Sequence, residues 1–202
     1  MLTNILFFYA HLVRLQDLFH LNNDGQYCVN RENLEHLIRA AGIISECKTI
    51  IVIGSQSILG KYPNAPDLVR QSMEADLIPV EHPERWNLID GVLGELSPFH
   101  ETFGYYADGV ETNTATLPND WQERLIEIEN PNTNGIKGLC LEPHDMVISK
   151  LIAGREKDKV VAKALATAKL IDSEILYERL DATEVNKEIK EIIRAHIDRI
   201  FN

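Results

Sequence analysis

Thr49–Lys61 reads TIIVIGSQSILGK. Thr49 to Ile53 form an unbroken run of β-branched residues, the pattern of a strand buried on both faces. The run stops at Gly54-Ser55, and residues 55–60 can open a short helix. Glycine lets a backbone approach a ligand closely. The first N–H groups of a helix lack partners and carry a partial positive charge. A strand that ends in Gly-Ser before a helical turn is therefore a candidate anion site. It is not a Walker loop. Five residues separate Gly54 from Gly60-Lys61, and Tyr62 stands where a magnesium-binding hydroxyl is needed.

Downstream lies RQSMEADLIP. A second strand is predicted over Ala75–Val80, with Pro79 marking a sheet edge or a strand end. Glu74 and Asp76 are two apart, so on an extended segment both side chains leave the same face. Paired carboxylates repel one another. A hard cation between them removes that repulsion, and magnesium characteristically takes one or two carboxylates plus substrate phosphates. An acid pair beside a phosphate-holding turn is the equipment of metal-assisted phosphoryl or nucleotidyl transfer. Taken singly, each feature reads better as an ordinary turn or a solvated strand face; together, in this order, they favour function.

The rest of the chain supplies a frame. Asn30 can cap a helix with apolar Leu34, Leu37, Ile38 and Ala41, and Gly42 fits a left-handed stop. Pro63, Asn64 and Pro66 mark a loop. Pro83 suits a first helical turn leading to Trp86, Ile89, Val92 and Leu93, with an end near Gly94. Residues 94–119 are irregular and aromatic-rich, with some strand. RLIEIEN and IKGLCLE flank PNTNG and predict a hairpin. Helices are predicted over 144–153, 157–171, 174–180 and 182–200, the last with a capping box from Asp181 and Glu184. The expected fold class is α/β (α+β): a mixed sheet flanked by helices. The expected division is a core over 1–142 and a C-terminal helical section over 143–202.

Composition narrows the function classes. The 202 residues are 45% hydrophobic with a net charge of −11, which argues against general binding to a nucleic-acid backbone. No apolar span is long enough for a membrane helix. The N-terminal stretch MLTNILFFYAHLVRLQDLFH reads as an amphipathic helix and not a signal peptide. Cys28, Cys47 and Cys140 form no CxxC pair, so buried thiols in the cytoplasm are expected. No Ser-His-Asp or Cys-His hydrolase pattern stands out.

These residues resemble the nucleotidyltransferase-fold superfamily, whose signature is a hydrophobic strand, Gly-[Gly/Ser], a spacer, and an acid-x-acid pair on the next strand. The style is that of uncharacterised nucleotidyltransferase-like proteins related to abortive-infection toxins. Their Arg-x-Thr-x-Asp-x-Asp motif matches Arg70, Ser72, Glu74 and Asp76. Their later helical Lys and Arg-Asp motif matches Lys150, Arg155, Lys157 and Asp158 in HDMVISKLIAGREKDK. The resemblance implies Glu74 and Asp76 as metal ligands and catalytic groups, with Mg2+ or Mn2+ as the ion. It implies an NTP whose phosphates meet Gly54, Ser55, Lys150 and Arg155. A third carboxylate is expected on a neighbouring strand, with Glu127 the choice and Glu129 the fallback. The acceptor would be an RNA, protein or small-molecule hydroxyl, and an antitoxin or a second copy would be the partner. Two departures stand out: 18 residues separate Ser55 from Glu74, and the first acid is Glu. They favour the alternative of an inactive module that binds a nucleotide or a protein. The loop containing Phe99, His100, Phe103, Tyr105 and Tyr106 reads better as packing against the sheet than as a base-stacking surface.

Overall fold

A computed structural model of the chain describes residues 29–202. The expected N-terminal helix and Cys28 lie outside the described residues. Helix α1 (Arg31–Ser45) begins at Asn30, whose side chain accepts from the N–H of Asn33 while the Asn33 side chain accepts from that of Asn30. The reciprocal cap satisfies two otherwise unpaired donors. Gly42 does not end the helix. It lies inside it, where a Cβ would stand 2.6 Å from Ile136. The left-handed stop falls on Glu46 instead (φ 56°).

The sheet has five strands: β1 (Thr49–Ile53), β2 (Glu74–Pro79), β3 (Tyr106–Gly109), β4 (Ile126–Ile128) and β5 (Lys137–Cys140), in the order β3-β2-β1-β5-β4. β1 runs antiparallel to β2 and parallel to β5, β2 is parallel to β3, and β4–β5 is the antiparallel hairpin expected around PNTNG. β2 is an interior strand, and Pro79 is tolerated there because it is the last residue.

Register sorts the strand residues onto two faces. Ile50, Val52, Leu77 and Ala107 are fully buried on one of them. α1 packs there, with Ile38 pressed onto Gly138, and so does α3 (Trp86–Leu93), whose Trp86 carbonyl crowds Gly109. The other face carries Ile51, Glu74, Asp76, Asp108 and Leu139, all partly exposed. Short helices α2 (Asp67–Arg70) and α4 (Pro98–Phe103), both unforeseen, fill the connections.

The C-terminal section holds α5 (Pro143–Ala153), α6 (Glu156–Thr167), α7 (Ser173–Asp181) and α8 (Lys187–Phe201). α8 is capped by Asn186, not by the expected Asp181 and Glu184 box; Asp181 instead pairs with Arg194. Val147, Leu165, Leu176 and Ile197 join the sheet residues in one apolar core. Two polar networks fix α5. Its cap Glu142 bonds His144 and Lys61, and His144 Nε2 accepts the Asp172 N–H at 2.9 Å, which ties α5 to the start of α7. The fully buried Asp145 takes Arg124 at 2.9 and 3.1 Å. The His36 ring packs on Phe99, Phe103 and Tyr105, so that part of the aromatic segment is packing against α1. No helix among the described residues is long and apolar enough to cross a membrane.

Candidate functional site

The site begins where β1 ends. Gly54 has φ +67°, a conformation that favours glycine, and a Cβ there would stand 2.0 Å from Asp76 Oδ2. The missing side chain is what lets the Asp76 carboxylate lie against the turn. Ser55–Gly60 then form a six-residue 3₁₀ helix. Ser57, fully buried, donates its hydroxyl to the Gly54 carbonyl at 2.7 Å. Gln56, also fully buried, donates from Nε2 to the Ser72 carbonyl at 2.7 Å. That bond straps the segment entering β2 to the turn leaving β1. Gly54→Ala is therefore expected to displace Asp76 and to destabilise the fold by about 1–3 kcal/mol. Thermal unfolding reads this; a wild-type midpoint would contradict it.

Glu74 and Asp76 leave β2 on the partly exposed face. Asp76 pairs in register with Ile53 across β1 and with Asp108 across β3. Asp108 thus stands one strand away, about 5 Å in backbone terms, and points to the same face. Glu127 also points to that face, but β4 lies three strands from β2, about 14 Å away. Its carboxylate pairs with Lys137 at 3.0 Å. The structure therefore brings Asp108 to the acid pair and leaves Glu127 and Glu129 on the far edge.

Electrostatics report the crowding. Burial, and then the charges of Glu74 and Asp108, push the Asp76 carboxyl up to about 7; Lys150 pulls the other way. Asp108 is pushed up to about 6 by burial and by Glu74, Asp90 and Glu95. Paired carboxylates this short of positive charge repel one another, a cost that a hard cation between them would remove. Among the described residues, no group of three or more His, Cys, Asp or Glu side chains is placed to hold a metal ion. Two carboxylates with an open side do fit magnesium, which keeps water and phosphate oxygens in its shell.

The acids open into a cleft of about 900 Å³. Gly54, Ser55, Ser72, Glu74 and Asp76 form its floor, and Thr114–Thr116 form one border. The facing wall comes from α5 and the start of α6: Met146, Ser149, Lys150, Arg155, Lys157 and Asp158. α5 stops at Gly154, in the left-handed region, so the chain turns and sets Arg155 and Lys157 at the mouth. Lys150 is 14% exposed and bonded to the buried Asp158 at 2.9 Å. Asp158 thus orients Lys150. Among the described residues, Arg155 and Lys157 make no ion pair. Arg70 lies outside the cleft lining; its guanidinium bonds the Ala65 carbonyl and Asp67 and so holds the α2 turn.

A family model described as nucleotidyltransferase of unknown function (DUF6036) matches residues 32–199. The chain belongs to this family. The nucleotidyltransferase match spans the sheet, the acid cluster and the C-terminal helices as far as residue 199 in α8. It names no acceptor and no toxin activity. No curated protein and no solved structure matches the chain.

Sequence reasoning missed Asp108 and Gln56, and it read Tyr106 as packing, whereas its hydroxyl bonds Glu74. Asp108 sits in YYADG, inside a stretch with no visible period. An aromatic-x-Asp-Gly run before a loop is a weak signal that gains meaning once β3 is paired with β2.

Proposed function

We propose that this nucleotidyltransferase-family protein transfers a nucleotidyl group from an NTP to a hydroxyl acceptor, with the reaction centred on Glu74, Asp76 and Asp108. One observation carries the reading: Glu74 and Asp76, with Asp108 in register beside them, lie against the Gly54-Ser55 turn on the floor of a cleft that Lys150, Arg155 and Lys157 also line. Glu74 and Asp76 would hold Mg2+, which when bound neutralises charge on the phosphates and acids alike. Lys150, Arg155 and Lys157 take the outer phosphates as charge partners, and Ser55 offers a hydroxyl at the turn. The acceptor oxygen forms a bond to the α-phosphorus, and the α–β bridging bond breaks to release pyrophosphate. The acceptor proton passes to Asp108, whose raised pKa near neutrality suits a general base. The cleft walls hold acceptor and NTP in line, which supplies much of the acceleration.

The test is incubation with α-labelled NTPs and Mg2+ in the presence of total RNA, total protein or small hydroxyl compounds. Label joined to an acceptor with release of pyrophosphate is expected. Asp108→Asn is expected to lower the rate about 100-fold, and Glu127→Gln to change it less than about twofold, because a surface pair contributes little. The reverse order would return the base to β4. A second reading, nucleotide binding without transfer, draws on the engagement of Lys150 by Asp158. Calorimetric binding of NTP with no labelled acceptor in any arm would favour it.

A further inference from the structure

Tyr106 points away from the aromatic packing of its neighbours. Phe99, Phe103 and Tyr105 pack around His36 on α1. Tyr106 pairs in register with Glu74, so its ring lies on the acid face. Its hydroxyl donates to Glu74 Oε2 at 3.3 Å. Behind it stands the His100 ring, 4.7 Å away between centroids. His100 is itself fixed, because its Nδ1 accepts the Leu96 N–H at 3.0 Å. The ring of Tyr106 is held from behind and its hydroxyl is aimed forward.

The bond bears on an odd feature of the site, a glutamate as first acid. Glutamate has one more rotatable bond than aspartate, so its carboxylate loses more freedom when fixed. A donor on one carboxylate oxygen removes that freedom before the ion arrives and leaves the other oxygen for it. Donors of this kind orient ligating groups at metal sites generally. We propose that Tyr106 is a positioning residue that presets Glu74 for a divalent cation; this rests on the metal-binding reading of Glu74 and Asp76. It also gives the segment Ser97–Tyr106 a second task besides packing: α4 places His100 behind the tyrosine, and β3 places the tyrosine beside the glutamate.

The experiment is Mn2+ titration, followed by the electron paramagnetic resonance of the free ion. It compares wild type, Tyr106→Phe, Glu74→Asp and the double variant, with circular dichroism confirming the fold of each. Phenylalanine keeps the ring against His100 and removes the hydroxyl alone. Tyr106→Phe is expected to weaken Mn2+ binding about tenfold. In the Glu74→Asp background the same change is expected to matter less than about twofold, because the shorter side chain withdraws from the hydroxyl. Wild-type affinity in Tyr106→Phe would overturn the proposal, as would an equal loss in both backgrounds. Failure of the wild type itself to bind Mn2+ is a different result, and it overturns the metal reading on which the proposal stands.

Discussion

Asp76→Asn is expected to lower transfer steeply and, in the metal-free protein, to raise stability. The first effect follows from its place. Asp76 lies against the Gly54 turn, in register with Asp108 and beside Glu74. Losing a ligand that neutralises phosphate charge is expected to lower the rate on the order of 10³-fold. The second effect follows from the carboxyl's pKa, about 7 against an ordinary 3.8. Between those values the folded protein keeps a proton that the unfolded chain has released. Stability therefore falls as pH rises from about 4 to about 7 and is level above that. Asp108, at about 6, adds to the same fall. Asparagine removes most of the slope and should stabilise the metal-free fold at pH 8 by about 1–3 kcal/mol. Urea unfolding at pH 5 and pH 8 reads it. A variant that loses stability at pH 8 would show that Asp76 is a structural anchor and not a strained functional group.

The largest loss of stability is expected at Asp145, away from the acids. Its side chain is fully buried under two arginines. Arg124 grips it with two hydrogen bonds, while Arg179 Nε stands 3.1 Å from Oδ1 without the alignment of a hydrogen bond. Burial pushes the carboxyl up and the arginines pull it back. Asp145→Ala leaves both guanidinium groups facing a pocket without their counter-charge, which destabilises by about 3–5 kcal/mol. The triad joins the 3₁₀ turn at 121–124 to α5 and α7, and α5 carries Lys150 across the cleft. Partial unfolding by limited proteolysis near residues 119–125 should accompany the loss. Equilibrium urea unfolding with a shift under about 1 kcal/mol would contradict this.

Local signals carried much of the fold. The β-branched run at Thr49–Ile53, the Asn30 cap, the hairpin around Pro131–Gly135 and the apolar period of Lys187–Phe201 each rest on neighbours in sequence, and each element forms within a few residues of its expected place. The acid pair at Glu74 and Asp76 was legible for the same reason, since a period of two is a property of one strand. The misses depend on distant partners. Gly42 looked like a stop because nothing in its own segment shows Ile136 lying over it. Glu127 looked like the third acid because its strand alternates visibly, whereas Asp108 lies on a four-residue strand that exists by pairing with β2. Which carboxylate stands beside Asp76 is a question of strand order, and strand order is not written in local pattern. The cationic wall was half legible: Lys150 and Arg155 could be matched to a motif, but the pairing of Lys150 with Asp158 needed the break between α5 and α6.

In the proposed reaction Glu74 and Asp76 share a divalent cation beside the Gly54-Ser55 turn. A crystal soaked with Mn2+ and a non-hydrolysable NTP, phased for the anomalous signal of manganese, tests it most directly. A peak is expected within coordination distance of both carboxylates, with the triphosphate running toward Lys150 and Arg155. Manganese elsewhere, with the two acids turned to lysine or arginine side chains and the nucleotide absent from the cleft, would contradict it.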